Sequence, residues 1–191
     1  MTEFLKRPFV LAALAIVVVA AVVAVLYANG GGVHAGKPEV LSALQPVKQP
    51  EMAPAVAFTD ANGKPQTLSA FRGHYVLLNM WATWCGPCVK ELPALAKLQT
   101  DVPRGFTVVP VNVGRSTAAE TRTFLAAHQA GTLPTYTDHN LAVMRGFHVY
   151  GLPVSLLIDP QGRVVARADG PAPWDDPQAV DYFKALAAER S

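Results

Sequence analysis

The sequence predicts an α/β domain, a central mixed β-sheet flanked by helices, carried behind one apolar N-terminal helix. Three observations predict it. A short, almost unbroken apolar run at 75–80 precedes a helical pattern and then a second apolar run at 106–112, the β-α-β order of a parallel sheet buried on both faces. After Gly151-Leu152-Pro153 the period changes, and two β-branched runs flank Pro160-Gln161-Gly162 as in an antiparallel hairpin. At the other end of the chain, residues 9–28 carry no charged side chain.

The apolar segment comes first. Twenty residues at ~1.5 Å rise reach roughly 30 Å, the thickness of a bilayer hydrocarbon core, so 9–28 is expected to span a membrane. Lys6 and Arg7 precede it and no Lys or Arg follows until Lys37, which places residues 1–8 in the cytoplasm and the rest outside. A cleaved leader is the competing reading, with Val33-His34-Ala35 as its small-x-small site, although the run is long for that role. Both readings export the remainder. Residues 29–52, rich in Gly, Pro, Ala and Gln without sustained period, read as a flexible linker to a domain at 53–191.

Inside that domain, Val56-Ala57-Phe58 and Gln66-Thr67-Leu68 flank the turn-rich Asp60-Ala61-Asn62-Gly63-Lys64 and predict an added N-terminal β-hairpin. The strand at 75–80 follows, then a helix over 90–98 with Leu92, Leu95, Ala96 and Leu98 on one face, and the strand at 106–112. A helix over 118–127 turns Phe124 and Leu125 inward, and a shorter helical piece occupies 141–147. The hairpin strands at 154–159 and 164–167 come next. A closing amphipathic helix over 180–188 has Phe183 and Leu186 inward. The 16 basic and 14 acidic residues are scattered, with no basic stripe to hold a phosphate backbone, so nucleic acid is not an expected partner.

The chain has two cysteines, both in Trp84-Cys85-Gly86-Pro87-Cys88. A C-x-x-C between the end of a buried strand and the start of a helix is a redox pattern. Cys85 at the helix N-terminus would have its thiolate stabilised by unpaired N–H groups and the helix dipole. It is expected to attack a substrate disulfide, and Cys88, a turn further in, to resolve the mixed disulfide. Two plainer readings stand beside this one. A zinc site needs further ligands, and His34, His74, His128, His139 and His148 show no H-x₃₋₅-H spacing. A structural disulfide over so short a loop constrains little unfolded-state entropy.

The segment Trp81-Ala82-Thr83-Trp84-Cys85-Gly86-Pro87-Cys88, with Gly151-Leu152-Pro153 downstream, resembles the thioredoxin-fold proteins. The hairpin at Asn62-Gly63-Lys64 followed by Leu68-Ser69-Ala70-Phe71-Arg72-Gly73, and the tail Gly170-Pro171-Ala172-Pro173-Trp174, narrow the likeness to the TlpA-like, membrane-anchored, exported branch. The resemblance covers roughly residues 53 to 188. It implies a thioredoxin fold, and a redox-active Cys85–Cys88 disulfide as the working centre with no cofactor and no metal. It implies a cis Pro153 facing the motif, turning the Leu152 backbone toward an extended substrate held by β-type hydrogen bonds. Trp84, Gly86 and Pro87 would line the same substrate-binding surface, Trp84 as an apolar plate beside the nucleophile, whereas Trp81 fills the core.

Glu91 lies three residues after Cys88, on the same helical face, where a carboxylate can exchange a proton with the inner thiol; exported relatives in cytochrome c maturation carry glutamate there. A solvated helix carboxylate is the plain alternative. Asn79 stands where cytosolic thioredoxin-like proteins carry a buried aspartate, and an amide accepts no proton at working pH. Pro93 falls inside the same helix and removes the donor to the Val89 carbonyl.

The resemblance further implies a membrane-anchored thiol:disulfide oxidoreductase on the periplasmic side of a bacterial cytoplasmic membrane. Its expected clients are proteins with paired cysteines in cytochrome oxidase copper-centre assembly, either a Sco-type copper chaperone or the copper-binding oxidase subunit. A membrane electron transporter would keep it reduced. Apocytochrome c is the alternative client. From other classes, a non-catalytic copper-binding chaperone normally needs longer cysteine spacing and a histidine ligand, and a pure scaffold would not need the motif's sulfurs.

Overall fold

The computed structural model describes residues 36–188. In chain order these form β1 (Leu44–Met52), β2 (Ala57–Asp60), β3 (Pro65–Thr67), β4 (Tyr75–Trp81), α1 (Gly86–Asp101), β5 (Phe106–Asn112), α2 (Ala118–Ala127), β6 (Tyr136–Thr137), α3 (Ala142–Gly146), β7 (Val154–Ile158), β8 (Arg163–Asp169) and α4 (Pro177–Ala188). The strands make one mixed sheet in the order β1-β8-β7-β4-β5-β6-β2-β3. β4, β5 and β6 run parallel, and every other neighbouring pair is antiparallel.

β4 is central because both its faces are apolar. Val76, Leu78 and Met80 join one buried layer with Val109, Val111, Leu156 and Ile158, while Leu77 and Trp81 join the other with Phe106, Val108 and Leu157. Period-2 alternation sends successive side chains to opposite faces. The second layer is closed by α1 through Leu92, Leu95 and Leu98 and by α4 through Val180 and Phe183. The first is closed by Phe58 of β2 with Val143 and Phe147 at α3. Leu92, Leu95, Leu98 and Phe183 are all 0% exposed, and each contributes roughly 1.5–3 kcal/mol by leaving water.

The added hairpin forms as the sequence predicts. β2 and β3 pair antiparallel, with Ala57 opposite Thr67 and Gly63 in the left-handed region at the turn (φ 78°). This hairpin joins the sheet through β6, a two-residue strand too short for periodicity to reveal. α1 starts at Gly86 rather than near Lys90, since Cys85 caps the helix and Gly-Pro in its first turn carries no apolar period. α2 opens on a capping box: the Thr117 hydroxyl accepts from the Glu120 N–H and the Glu120 carboxylate accepts from the Thr117 N–H.

The expected tether through residue 52 is corrected. Leu44–Met52 is a strand, paired antiparallel to β8 with Leu44 opposite Ala168, and a short 3₁₀ turn at Glu39–Leu41 precedes it. Two prolines and a mostly exposed side-chain pattern conceal it, as an edge strand tolerates proline where a central one does not. Leu41 and Leu44 are fully buried. The expected cytoplasmic residues 1–8, the membrane span at 9–28 and the first part of the linker, 29–35, lie outside the described residues; among the described residues no helix is long and apolar enough to cross a membrane.

Candidate active site

The register of β4 and β7 builds the site. Met80 pairs with Val154, so the turn leaving β4 and the residues entering β7 emerge side by side at one end of the sheet. The first carries Ala82-Thr83-Trp84-Cys85 and the second Gly151-Leu152-Pro153. Cys85 and Cys88 are joined as a disulfide, with sulfurs 2.04 Å apart. Cys85 is the N-cap of α1, and the Cys88 N–H donates to its Sγ at 3.3 Å. That donor and the positive end of the helix favour charge on Cys85 when the disulfide is opened. Pro87 in the first turn removes an N–H that has no helical acceptor.

Exposure separates the two sulfurs. Cys85 retains 6% of its surface and Cys88 none. Around Cys85, Gly86 and Pro87 are exposed and Trp84 projects at 73% exposure, whereas Trp81 is fully buried against Phe124 at 5.8 Å between ring centroids. Backbone without a side chain underlies the Trp84 ring: a Cβ on Gly114 would stand 3.8 Å from its Nε1 and only 2.9 Å from Asn112 Oδ1. The Leu152–Pro153 peptide is cis, Pro153 is buried and Leu152 packs against both apolar layers. Tyr150, three residues before Pro153, is 91% exposed, an apolar ring that the sequence reading passed over.

Glu91 is not a solvated helix carboxylate. It is 4% exposed and takes three hydrogen bonds: Asn79 Nδ2 donates to Oε1 at 2.9 Å, while the Trp174 Nε1–H at 3.0 Å and the Ala172 N–H at 3.3 Å both donate to Oε2. Asn79 also donates to Ser155 Oγ at 3.0 Å. Burial pushes the Glu91 carboxyl up to about 7, with the Trp174, Asn79 and Ala172 donors pulling against it. It therefore changes charge near neutrality, one helical turn from Cys88. Sequence spacing singled out Glu91 and identified Asn79 as an amide, but placed neither Ala172 nor Trp174 in the site; those contacts span 81 and 83 residues of chain.

A sequence model described as Redoxin matches residues 48–185. The chain belongs to the Redoxin family. It is 32% identical over 166 residues to the thiol-disulfide oxidoreductase ResA of Bacillus subtilis, covering 86% of each protein, and 30% identical over 118 residues to the Bacillus subtilis thioredoxin-like protein YneN, covering 61% of this chain and 68% of that one. The crystal structure of a Chlorobium tepidum protein assigned as thiol:disulfide interchange protein DsbE superposes with a TM-score of 0.63 at 30% identity, covering 74% of this chain and 99% of the other. The expected TlpA-like, thioredoxin-fold kinship stands. This Redoxin member is a thiol-disulfide oxidoreductase, with Cys85–Cys88 at disulfide distance.

Proposed function

We propose that the protein is a membrane-tethered, periplasmic reductant of protein disulfides, and that its clients are the paired-cysteine proteins of cytochrome oxidase copper-centre assembly. The observation that carries the redox assignment is the asymmetric sulfur pair: Cys85 at the rim of a helix N-terminus, Cys88 sealed beneath it with Glu91 one turn on. In the reduced state the Cys85 thiolate attacks one sulfur of the client disulfide, forming a mixed disulfide and releasing one client thiolate. The Cys88 thiol gives its proton to the Glu91 carboxylate, and the resulting thiolate attacks Cys85 Sγ. The Cys85–Cys88 bond forms, the second client thiolate leaves, and two electrons have passed from enzyme to client. A membrane electron transporter then returns the pair to the dithiol.

Client backbone is positioned along Leu152, ahead of the cis proline, while Trp84, Gly86 and Pro87 provide the apolar and uncluttered rim on the other side. The copper-centre clients follow from the likeness of the Gly170–Trp174 stretch to the TlpA branch, and the tether from the uncharged 9–28 run behind Lys6 and Arg7. Apocytochrome c is the second client class, favoured by the buried Glu91 at the position shared with relatives in cytochrome c maturation. Trapping separates them. Cys88→Ser should strand Cys85 in mixed disulfides that mass spectrometry identifies. Copper chaperones or the oxidase subunit are expected, and capture of cytochrome c precursors alone overturns the client assignment. Fractionation of the full chain with soluble protein would remove the tether.

A further inference from the structure

The stretch between β8 and α4 straps one half of the site to the other. Its first residue, Gly170, donates its N–H to the Pro153 carbonyl at 2.9 Å. Ala172 and Trp174 then turn inward and both donate to Glu91 Oε2, while Pro171, Pro173 and Asp175 face solvent. Trp174 is 0% exposed, its ring 6.2 Å from that of Phe183. The strap thus braces the cis-proline loop at one end and grips the buried carboxylate at the other.

We infer that Trp174 is a positioning residue for thiol–disulfide exchange, its indole N–H fixing the Glu91 carboxylate and setting the pH at which that carboxylate accepts the Cys88 proton. This rests on the reading of Glu91 as proton acceptor given above. Everything hydrogen-bonded to the carboxylate is a neutral donor: the Asn79 amide from β4, and the Ala172 and Trp174 N–H groups from the strap. One turn earlier on the same helix stands Cys88, which becomes titratable once the disulfide is opened. Lys90 on α1 and Asp175 on the strap are exposed, and no charged side chain contributes to the carboxyl's shift. Desolvation without these donors would hold Glu91 protonated to higher pH than it is with them, and a protonated carboxyl takes no proton from a thiol. A donor that binds the charged form counteracts this, and two of the three donors come from the strap. The strap is therefore what returns a deeply buried acid to service near neutral pH, and Trp174 supplies its one side-chain donor to that acid.

The test compares wild type with Trp174→Phe, which keeps an aromatic ring and deletes the donor. Glu91 is titrated through its carboxyl carbon by ¹³C NMR, and the pH dependence of the second, resolving step is followed by stopped flow with an oxidised dithiol peptide. Both midpoints are expected to move to higher pH by about one unit, the scale of one hydrogen bond to a charged group. Midpoints that stay in place in both measurements overturn the inference. Should Trp174→Phe fail to fold, 3-benzothienylalanine at position 174 preserves the bicyclic shape with sulfur in place of N–H, and the same upward shift is required. Glu91→Gln separates this inference from the reading beneath it. If it leaves the resolving step and its pH profile unchanged, the proton-acceptor reading falls and the role of Trp174 falls with it. If it flattens the profile while Trp174→Phe shifts nothing, only the strap's role is lost.

Discussion

The two sulfurs of one disulfide face regions built in opposite ways. On the outer side, Trp84, Gly86 and Pro87 surround Cys85 as consecutive, exposed residues of a single turn, and the indole stands 73% in solvent. On the inner side, Cys88 and Glu91 lie in an interior assembled from Asn79, Ser155, Ala172 and Trp174, residues from β4, β7 and the strap that meet only in the folded chain. The outer region has room for varied protein surfaces. The inner one has a fixed set of donors and a carboxyl whose charge depends on burial, so under the proposed function recognition would fall to the side of Cys85 and proton handling to the side of Cys88.

Substituting each sulfur is the strongest challenge to that division. Cys85→Ser should reduce insulin no faster than buffered dithiol alone, whereas Cys88→Ser should still complete one attack and stop as a mixed disulfide, visible as a mass adduct. Sustained turnover by Cys85→Ser would erase the distinction. Next in size, Glu91→Gln should slow the resolving step by about 10²-fold at pH 8, the low end for loss of a positioned general base, while leaving the first attack unchanged in stopped flow. In wild type that step should accelerate as pH rises through about 7, where Glu91 becomes charged.

The same carboxyl leaves an opposite mark on stability. Its folded value lies above the ordinary 4.5, so the folded state holds a proton that the unfolded state has released between those limits. Stability from this source is complete below about 4.5 and is lost as pH rises through about 7. The change is of the order of 3 kcal/mol, and urea unfolding of the oxidised domain at pH 4.5 and pH 8 should register it, with Glu91→Gln abolishing most of the difference. A slope that persists unchanged in Glu91→Gln would assign it to other groups. Under the proposed function, the charged form of Glu91 that would take the Cys88 proton is also the form that costs the fold stability.

The smallest effects belong to the rim. Trp84→Ala should lower kcat/KM for a protein disulfide by about tenfold and leave a small disulfide such as oxidised glutathione nearly unaffected, because the ring offers contact area and not chemistry. Tyr150→Ala should lower the protein rate by about threefold on the same grounds. Equal losses on large and small disulfides would move these rings from docking into catalysis.

Legibility in the sequence follows the same division. The motif, the strands at β4 and β5, and the front hairpin could be read because their signals are local: two cysteines in C-x-x-C spacing, apolar runs, and a turn bearing Asn62-Gly63. Glu91 was reachable through the three-residue helical spacing from Cys88, but its burial was not, since Ala172 and Trp174 come from a stretch with no helical or strand period to show which way its side chains turn. β1 escaped for a related reason. Its strand identity rests on pairing with β8, while Pro46 and Pro50 within it argue locally for a loop. β6 has two residues and exists because β5 and β2 flank it.

The prolines at the sheet's margins have an effect of their own. Pro46 and Pro50 lie in β1 and Pro65 in β3, the strands that close the sheet on either flank. A ring nitrogen has no hydrogen to offer, so neither flank gives a passing polypeptide a complete ladder to zip onto. The domain can present its thiols to an extended chain at one end of the sheet while its two outer strands stay poor templates for adding that chain as another strand.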